Sequence, residues 1–396
     1  MKRWPQQSLE QIAEVVGGST PSRNNSAFWG GDIHWVTPTD LPMPDEGISV
    51  VNRTRDRITQ AGLKNSAAKV VPKGTVLFSS RATIGKVAVA GMPLATNQGF
   101  ANFIPHPEIA SRFLAYSLWN RREDIARLSG STTFKEVNRS TLRKYKIPVP
   151  PLAEQKWIVK LLDEAGELGK LRAQADRRTA EFIPAIFHEM FGDPIRSPKG
   201  MPVVRVEEAG RVQLGRQRAP KYQTGKFTRP YVRVANVFED RIDVSDLLSM
   251  DFGERDFSQY RLEHGDILLN EGQSTELVGR PAMWRNEVPG CCFQNTLLRF
   301  QPNRKKVLPD FALGLFLTYF RTGEFAKLSG KTSSIAHLGA ARFAKMPFVC
   351  PPLALQREFA QRVTEIRELE AGQAASRLRL KALFQSLLHR AFNGKL

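Results

Sequence analysis

Ile147-Pro148-Val149-Pro150-Pro151-Leu152 and Pro347-Phe348-Val349-Cys350-Pro351-Pro352-Leu353 mark the same event in the two halves of the chain: an apolar run closed by a Pro-Pro pair, then a long periodic segment. After the first, Ile158, Leu161, Leu162, Ala165, Leu168, Leu171, Ala175, Phe182, Ile186 and Met190 recur at three and four residues, the mark of an amphipathic helix. After the second, Phe359, Val363, Ile366, Leu369, Leu380, Leu383, Leu387 and Ala391 do the same. Proline lacks the donor that a helix interior needs, so both helices are expected to start at the Pro-Pro pairs, and both are expected to stop at a glycine, Gly192 or Gly394. A shift of 201 aligns Gln155 with Gln356, Leu168 with Leu369, His188 with His389 and Phe191 with Phe392, which predicts helices equal in length and phase. Pro184 predicts a kink late in the first. Roughly 37 residues at about 1.5 Å each make a rod of about 55 Å. So long and one-sided a helix needs a partner, and equal phase favours mutual pairing over the alternative, in which each helix packs on its own domain.

Working outward, the whole chain is written twice. Pro5, Glu10, Val15 and Gly18 fall opposite Pro202, Glu207, Val212 and Gly215 at a shift of 197, and Trp35 and Asp40 fall opposite Tyr231 and Asn236 at 196. PKGTVLFSS (72–80) resembles EHGDILLNE (263–271), TNQGFANF (96–103) meets FQNTLLRF (293–300), and LSGSTTF (128–134) meets LSGKTSS (328–334). Small changes of shift are loop insertions. Short β-rich runs (70–78, 266–269, 297–300) accompany one helix per copy (111–128 and 310–328), so each unit is an α/β or α+β domain. The expected organisation is a recognition domain at 1–152, a helix at 153–192, a Pro/Gly-rich linker at 193–201, a second domain at 202–353 and a closing helix at 354–396.

The 396 residues suffice for two cores. Lysine and arginine total 58 against 39 acids, a net charge of +19, and an excess that large calls for an anionic partner, of which nucleic acid is the commonest. The positive charge is dispersed, which disfavours a membrane surface; the best apolar run, Phe311 to Phe320, is interrupted by Gly314 and Thr318, and MKRWPQQSLEQ lacks the apolar core of a signal peptide. A cytoplasmic location is expected. Three cysteines, Cys291, Cys292 and Cys350, offer neither a zinc spacing nor a disulfide framework, so no metal is expected.

Catalytic motifs fail on chemistry. In SRATIGKV (80–87), Ser80 replaces the first glycine of a phosphate loop and Val87 replaces its magnesium-binding hydroxyl. An amino-methyltransferase would place Asn or Asp before Pro-Pro, where this chain has Val149 and Cys350. Gly17 and Gly18 form no dinucleotide loop. Glu164, Glu167 and Lys170 are spaced as a charged helix flank, and His188 and His389 as helix-end caps.

What remains is a set of polar loops at equivalent places in both copies. Gly18–Arg23 is matched by Gly215–Lys221, Ser79–Arg81 by Asn270–Gln273, and Ser131–Lys135 by Lys331–Ser334. Arg, Asn, Gln and Glu are base-edge readers, while Lys, Ser and Thr commonly hold phosphate. The framework repeats while these loops differ, as one scaffold reading two sequences requires. Candidate DNA contacts are Thr20, Ser22, Arg23, Thr37, Arg81, Lys86, Asn97, Gln98, Ser131, Thr132 and Lys135 in the first copy. In the second they are Arg216, Arg218, Lys221, Arg233, Asn236, Gln273, Arg280, Gln294, Asn295, Lys331 and Thr332. Taken singly, each could instead serve as a solvated turn or a cap.

The pattern resembles the specificity subunit of type I restriction-modification systems. The resemblance runs through GGSTPSR (17–23), FWGGDIHWVTPTDL (28–41), LFSSRATIGKVAV (77–89), IPVPPLAEQ (147–155), MFGDP (190–194) and HRAFNGKL (389–396); the second copy departs from it at Ser333-Ser334-Ile335-Ala336-His337. It implies two mixed α/β target-recognition domains, each reading half of a split double-stranded DNA site. Between them it implies two helices in an antiparallel coiled coil, related by a pseudo-two-fold axis, that space the domains and dock two methyltransferase subunits. Ile158, Leu162, Leu168, Phe359, Val363 and Ile366 are the candidate partner-binding positions. It also implies a chain without catalysis or cofactor of its own, with S-adenosylmethionine in the modification subunits and ATP and magnesium in separate restriction subunits. The alternatives are a stand-alone bipartite DNA-binding regulator, or a nuclease or methyltransferase with an unrecognised active site.

Overall fold

A computed structural model describes residues 4–130, 135–195, 200–332 and 335–396; the side chains of Lys221, Lys331 and Thr332 are also outside the description. The chain divides into two compact units, residues 1–173 with 376–396, and residues 174–375. The division falls inside both long helices, so each unit holds one α/β region and a stretch of each helix.

In the first unit a five-stranded sheet runs in the order Ala13–Gly17, Phe100–Pro105, Val76–Ser79, Val87–Ala90, Ile48–Val51. Its pairs are antiparallel except the last, which is parallel. A second sheet pairs Trp29–Val36 with Asp56–Ile58 and, in parallel, with Ala95–Thr96. The second unit repeats this plan. Gly210–Leu214, Leu297–Pro302, Ile267–Asn270 and Pro281–Met283 form an antiparallel sheet. Thr228–Val232 pairs antiparallel with Leu248–Asp251 and parallel with Cys292–Phe293. Register repeats as well: Trp35 lies opposite Ala95 where Tyr231 lies opposite Cys292, and Val16 opposite Asn102 where Gln213 lies opposite Arg299. The duplication read from sequence is thus a duplication of topology.

The domain helix in each copy is shorter than the apolar periodicity suggests. Ser111–Asn120 and Arg122–Arg127 are separate helices, as are Pro309–Arg321 and Glu324–Leu328. In the second copy the break contains Gly323 at φ 76°, a left-handed conformation that glycine adopts without steric cost.

The first long helix spans Leu152–Thr179 and resumes as Phe182–Phe191. Pro184 cannot donate to the Ala180 carbonyl, and Glu181 N–H turns instead to Arg178 O at 3.2 Å, so the expected kink is a break about one turn before the proline. Gln385 occupies the matching place in the second helix, which runs unbroken over Leu353–Phe392. The two helices therefore match in phase but not in continuity.

The two packings set as alternatives are joined. In the first unit Ile158 and Leu162 share a core with Phe78, Phe103 and Phe113 of the α/β region and with Leu388 and Phe392 of the closing helix. In the second, Phe187 and Phe191 pack on Phe359 at ring separations of 5.5 and 5.4 Å and on Phe311 of the α/β region. There, Gln373 Nε2 donates to Thr179 Oγ1 at 2.9 Å, so numbers rising along one helix meet numbers falling along the other. The pairing is antiparallel. Among the described residues, no helix is long and apolar enough to cross a membrane.

Candidate nucleic-acid interface

In the first unit, two of the polar loops singled out by their sequence bring Arg23 and Arg81 to one concavity of about 680 Å³. Arg23, Thr37, Arg81, Lys86, Asn97 and Gln98 line it, joined by Thr39, Asp40, Arg55, Asp56 and Thr83. The 18–23 loop is pinned from beneath: Trp35 Nε1 donates to Ser19 O and Trp29 Nε1 to Ser22 O, both at 3.0 Å. The Thr20 hydroxyl donates to Gln98 Oε1, tying this loop to the 97–99 turn. Ser22 is exposed at the lip. Arg23 stacks on Trp29 and bonds Asp56 Oδ2 at 2.8 Å.

Thr37 and Asp40 form a reciprocal cap, with Thr37 N–H donating to Asp40 Oδ2 at 2.7 Å. Burial pushes the Asp40 carboxyl up, but the Thr37 N–H and hydroxyl and the Arg55 guanidinium outweigh it and hold the carboxyl below its ordinary value. Arg55 Nε bonds the outer Asp40 oxygen at 3.0 Å. Asn97 turns its Oδ1 inward to accept Gly99 N–H at 3.0 Å.

The 79–83 and 135–137 segments meet. Val137 N–H donates to Ser80 O at 2.9 Å, Ala82 N–H donates to Lys135 O at 3.2 Å, and Arg81 bridges antiparallel to Glu136. Exposed Arg81 and Lys135 are thereby brought to one edge, with Ala82 between them at φ 60°. Ser131 and Thr132 lie outside the described residues.

The second copy makes the same junction with more strand. Gly272–Gln273, Ile335–His337 and Gly330–Thr332 form a three-stranded sheet, and Leu338 N–H donates to Glu271 O at 2.8 Å, as Val137 does to Ser80. Gln273 sits on that sheet, its Oε1 accepting Ser274 N–H at 3.0 Å. Gln294 and Asn295 flank the turn after Cys292–Phe293, half-buried, and Arg218 is exposed on the 215–221 loop. Arg280 is half-buried beneath its loop, 5.0 Å from the Phe238 ring. Arg233 is half-buried and bonds Asp246 at 2.6 Å.

Three candidates are corrected by burial. Lys86 points inward and its ammonium donates to Pro38 O at 2.8 Å and Leu41 O at 3.0 Å, so it closes the 38–41 loop. Arg216 lies under Tyr222 with its guanidinium on Asp256 at 2.5 Å and on the Asp251 carbonyl. Asn236 repeats the Asp40 cap: its Oδ1 accepts Arg233 N–H, and its Nδ2 donates to Asp243 O and Asp246 O, all at 3.0 Å. All three are buried, so their polar groups are directed to the fold first. Sequence reasoning, in turn, missed Arg55 and Asp56. Their trace was the basic alternation Arg53, Arg55, Arg57 leading into a strand.

Residues 1–174 match the family model of the type I restriction modification DNA specificity domain. The type I restriction enzyme MjaIX specificity subunit of Methanocaldococcus jannaschii is 34% identical over 256 residues, 60% of this chain and 58% of that protein. Residues 1–174 carry a type I restriction modification DNA specificity domain. The chain spans less than two thirds of the first curated relatives it matches. The fold likeness is longer. A solved chain from work on complex assembly and conformational transition of the type I R-M system superposes with TM-score 0.67 at 18% identity, covering 100% of this chain and 99% of that one. The type I system S subunit from M. genitalium gives 0.55 at 15% identity, covering 98% and 96%.

Within this fold the helices present two faces. Ile158, Leu162, Phe359 and Val363, expected to meet partners, are buried in the two cores, and Ile366 is buried as well, a correction that follows from each helix facing both its own α/β region and the other helix. Leu168 alone of the six is exposed, at 49%. Trp157, Leu171, Leu378 and Leu383 in the first unit, and Phe182 and Leu369 in the second, are the other large apolar side chains that the helices leave open.

Proposed function

We propose that this chain is the non-catalytic DNA-reading subunit of a type I restriction-modification complex, each α/β region reading one half of a bipartite, asymmetric site in double-stranded DNA. One observation carries the reading: in each copy the divergent loops are joined by the same hydrogen bond, Val137 to Ser80 and Leu338 to Glu271, upon a repeated framework. A scaffold conserved within one chain, with unlike polar groups mounted on it, suits two unlike half-sites. The +19 charge supplies the sequence-independent attraction.

In this reading the two domains are residues 1–152 and 202–353, and the helices set the distance between half-sites. Their exposed apolar side chains dock two methyltransferase subunits, which bind S-adenosylmethionine, and restriction subunits supply ATP- and magnesium-dependent action. A helix of about 55 Å against a duplex turn of about 34 to 36 Å puts the half-site centres between one and two turns apart.

Mapping methylated bases in cells carrying this chain and its partner subunits should return one bipartite motif. Inserting one turn in both long helices should lengthen the spacer and leave the half-sites alone; an unchanged spacer would remove the ruler. Binding of one site without partners, or turnover by the chain alone, would favour a regulator or an enzyme instead.

A further inference from the structure

We propose that Arg23 and Asp56 together read one G·C base pair in the half-site taken by the first α/β region. The proposal rests on the reading of the chain as a DNA-recognition subunit and names a contact within it.

The Arg23 guanidinium carbon lies 3.8 Å from the Trp29 ring centroid and 5.2 Å from that of Trp35. The two indoles are themselves fixed edge to face, 5.0 Å apart at 86°. Stacking sets the plane of the guanidinium, and the bond from Nη2 to Asp56 Oδ2 at 2.8 Å sets its rotation within that plane. An arginine has five donors, and this carboxylate occupies one. Both groups remain open to solvent, with side chains 56% and 39% exposed. The result is a positive fork and a negative acceptor, side by side and held before any ligand arrives.

That pattern complements one base pair. In the major groove guanine offers two acceptors, O6 and N7, to an arginine fork, and its cytosine partner offers the N4 amino donor to a carboxylate. A·T mismatches, because adenine turns an amino donor toward the fork and thymine turns the O4 acceptor toward the carboxylate; T·A offers the fork O4 alone, with a methyl group where guanine has N7. The neighbouring ion pairs lack one property each. Arg55 faces Asp40, whose side chain is only 7% exposed and whose other oxygen is engaged by Thr37. Arg81 and Glu136 are both open, but their charged atoms stand 3.6 Å apart and, among the described residues, no ring lies under the guanidinium. These two suit phosphate better than a base edge.

The test is selection of randomised bipartite duplexes by the full-length protein with whatever subunits copurify, comparing wild type with R23A, R23K and D56A. Arg23→Ala should abolish preference at a single G·C column, weaken the consensus site roughly tenfold or more, and leave the salt dependence of binding unchanged. Asp56→Ala should relax the same column, and Arg23→Lys, which keeps the charge without the fork, should restore it only in part. Uniform weakening across all sequences with a shallower salt dependence would reassign Arg23 to phosphate and overturn the proposal, as would an unchanged column in correctly folded R23K. If the wild type selects no motif at all, the recognition-subunit reading fails, and this contact with it.

Discussion

Gln155 and Gln356 make the same three hydrogen bonds in the two copies. Gln155 Oε1 accepts Ala110 N–H at 2.9 Å, and its Nε2 donates to Glu108 O at 3.1 Å and Pro150 O at 2.9 Å. Gln356 Oε1 accepts Leu308 N–H at 2.8 Å, and its Nε2 donates to Lys306 O at 2.9 Å and Pro351 O at 2.7 Å. Each buried amide joins the start of a long helix to the segment leading into the domain helix, so both helix starts are fixed by one side chain. Replacing either glutamine by alanine leaves three buried backbone groups unpaired and should cost about 2–4 kcal/mol in chemical denaturation. Glutamate should be worse at neutral pH, because a carboxylate would face two carbonyls, and should recover on acidification.

Asp251 governs a pH response in the second unit. Its carboxylate accepts from Thr224 N–H and hydroxyl, both at 2.6 Å, from Gly225 N–H at 3.0 Å, from Phe227 N–H at 3.1 Å and from the Thr228 hydroxyl at 3.2 Å. The Thr224 hydroxyl leads in holding the carboxyl down, against burial, to about 2 from an ordinary 3.8. A depressed carboxyl stabilises the folded state in full above its unfolded value and loses that contribution as pH falls from 3.8 through about 2. Asp251→Asn should therefore be less stable than wild type at pH 7, with the gap closing between pH 4 and 2 in acid-dependent thermal melts. A gap of constant size would remove the assignment.

Oppositely arranged ion pairs tie each α/β region to its helix. In the first unit Arg112 of the domain helix and the Tyr116 hydroxyl bond Asp163 of the long helix, at 2.5 and 2.7 Å. In the second, the domain supplies the acid: Asp240 accepts from Arg285 at 2.9 Å and from Arg367 of the long helix at 2.7 Å. Removing Asp240 strands two half-buried cations, whereas removing Arg367 leaves Asp240 with Arg285. Asp240→Ala should thus destabilise more than Arg367→Met, by about 1–3 kcal/mol against less than about 1. Equal losses in urea unfolding would contradict this ordering.

The outer helix faces give a separate prediction. Leu171→Glu and Leu378→Glu alter side chains that are 53% and 68% exposed, so melting temperature should shift little. Under the proposed function, copurification of methyltransferase subunits should fall at least tenfold, since each change would put a charge into the proposed apolar contact. Ile158→Glu is the contrast, because Ile158 is buried in the first core and its loss should unfold the protein before partner binding can be measured.

The duplication, the long helices and the interruption near Pro184 were legible because they rest on local physics. Repeated residue order needs no tertiary information, 3.6-residue periodicity marks a buried stripe, and Pro184 lacks a donor wherever it stands. The polar loops were legible as loops. Their division into exposed and buried members was not: Arg23, Lys86, Arg216 and Asn236 look equally suited to DNA in sequence. Only long-range contacts separate exposed Arg23 from Lys86, whose ammonium meets carbonyls of Pro38 and Leu41.

By itself the sequence determined that this protein is one framework used twice, with charge suited to nucleic acid and differing loops where a reader would differ. Tertiary structure decided which side chains are spent and which are free. It turned Ile158, Leu162, Phe359 and Val363 from a partner surface into cores, because each helix is claimed on one side by its own α/β region and on another by the antiparallel helix. It also set Asp56 beside Arg23 across the sheet edge. Periodicity reports that a face is buried, but what buries it depends on packing between residues far apart in the chain.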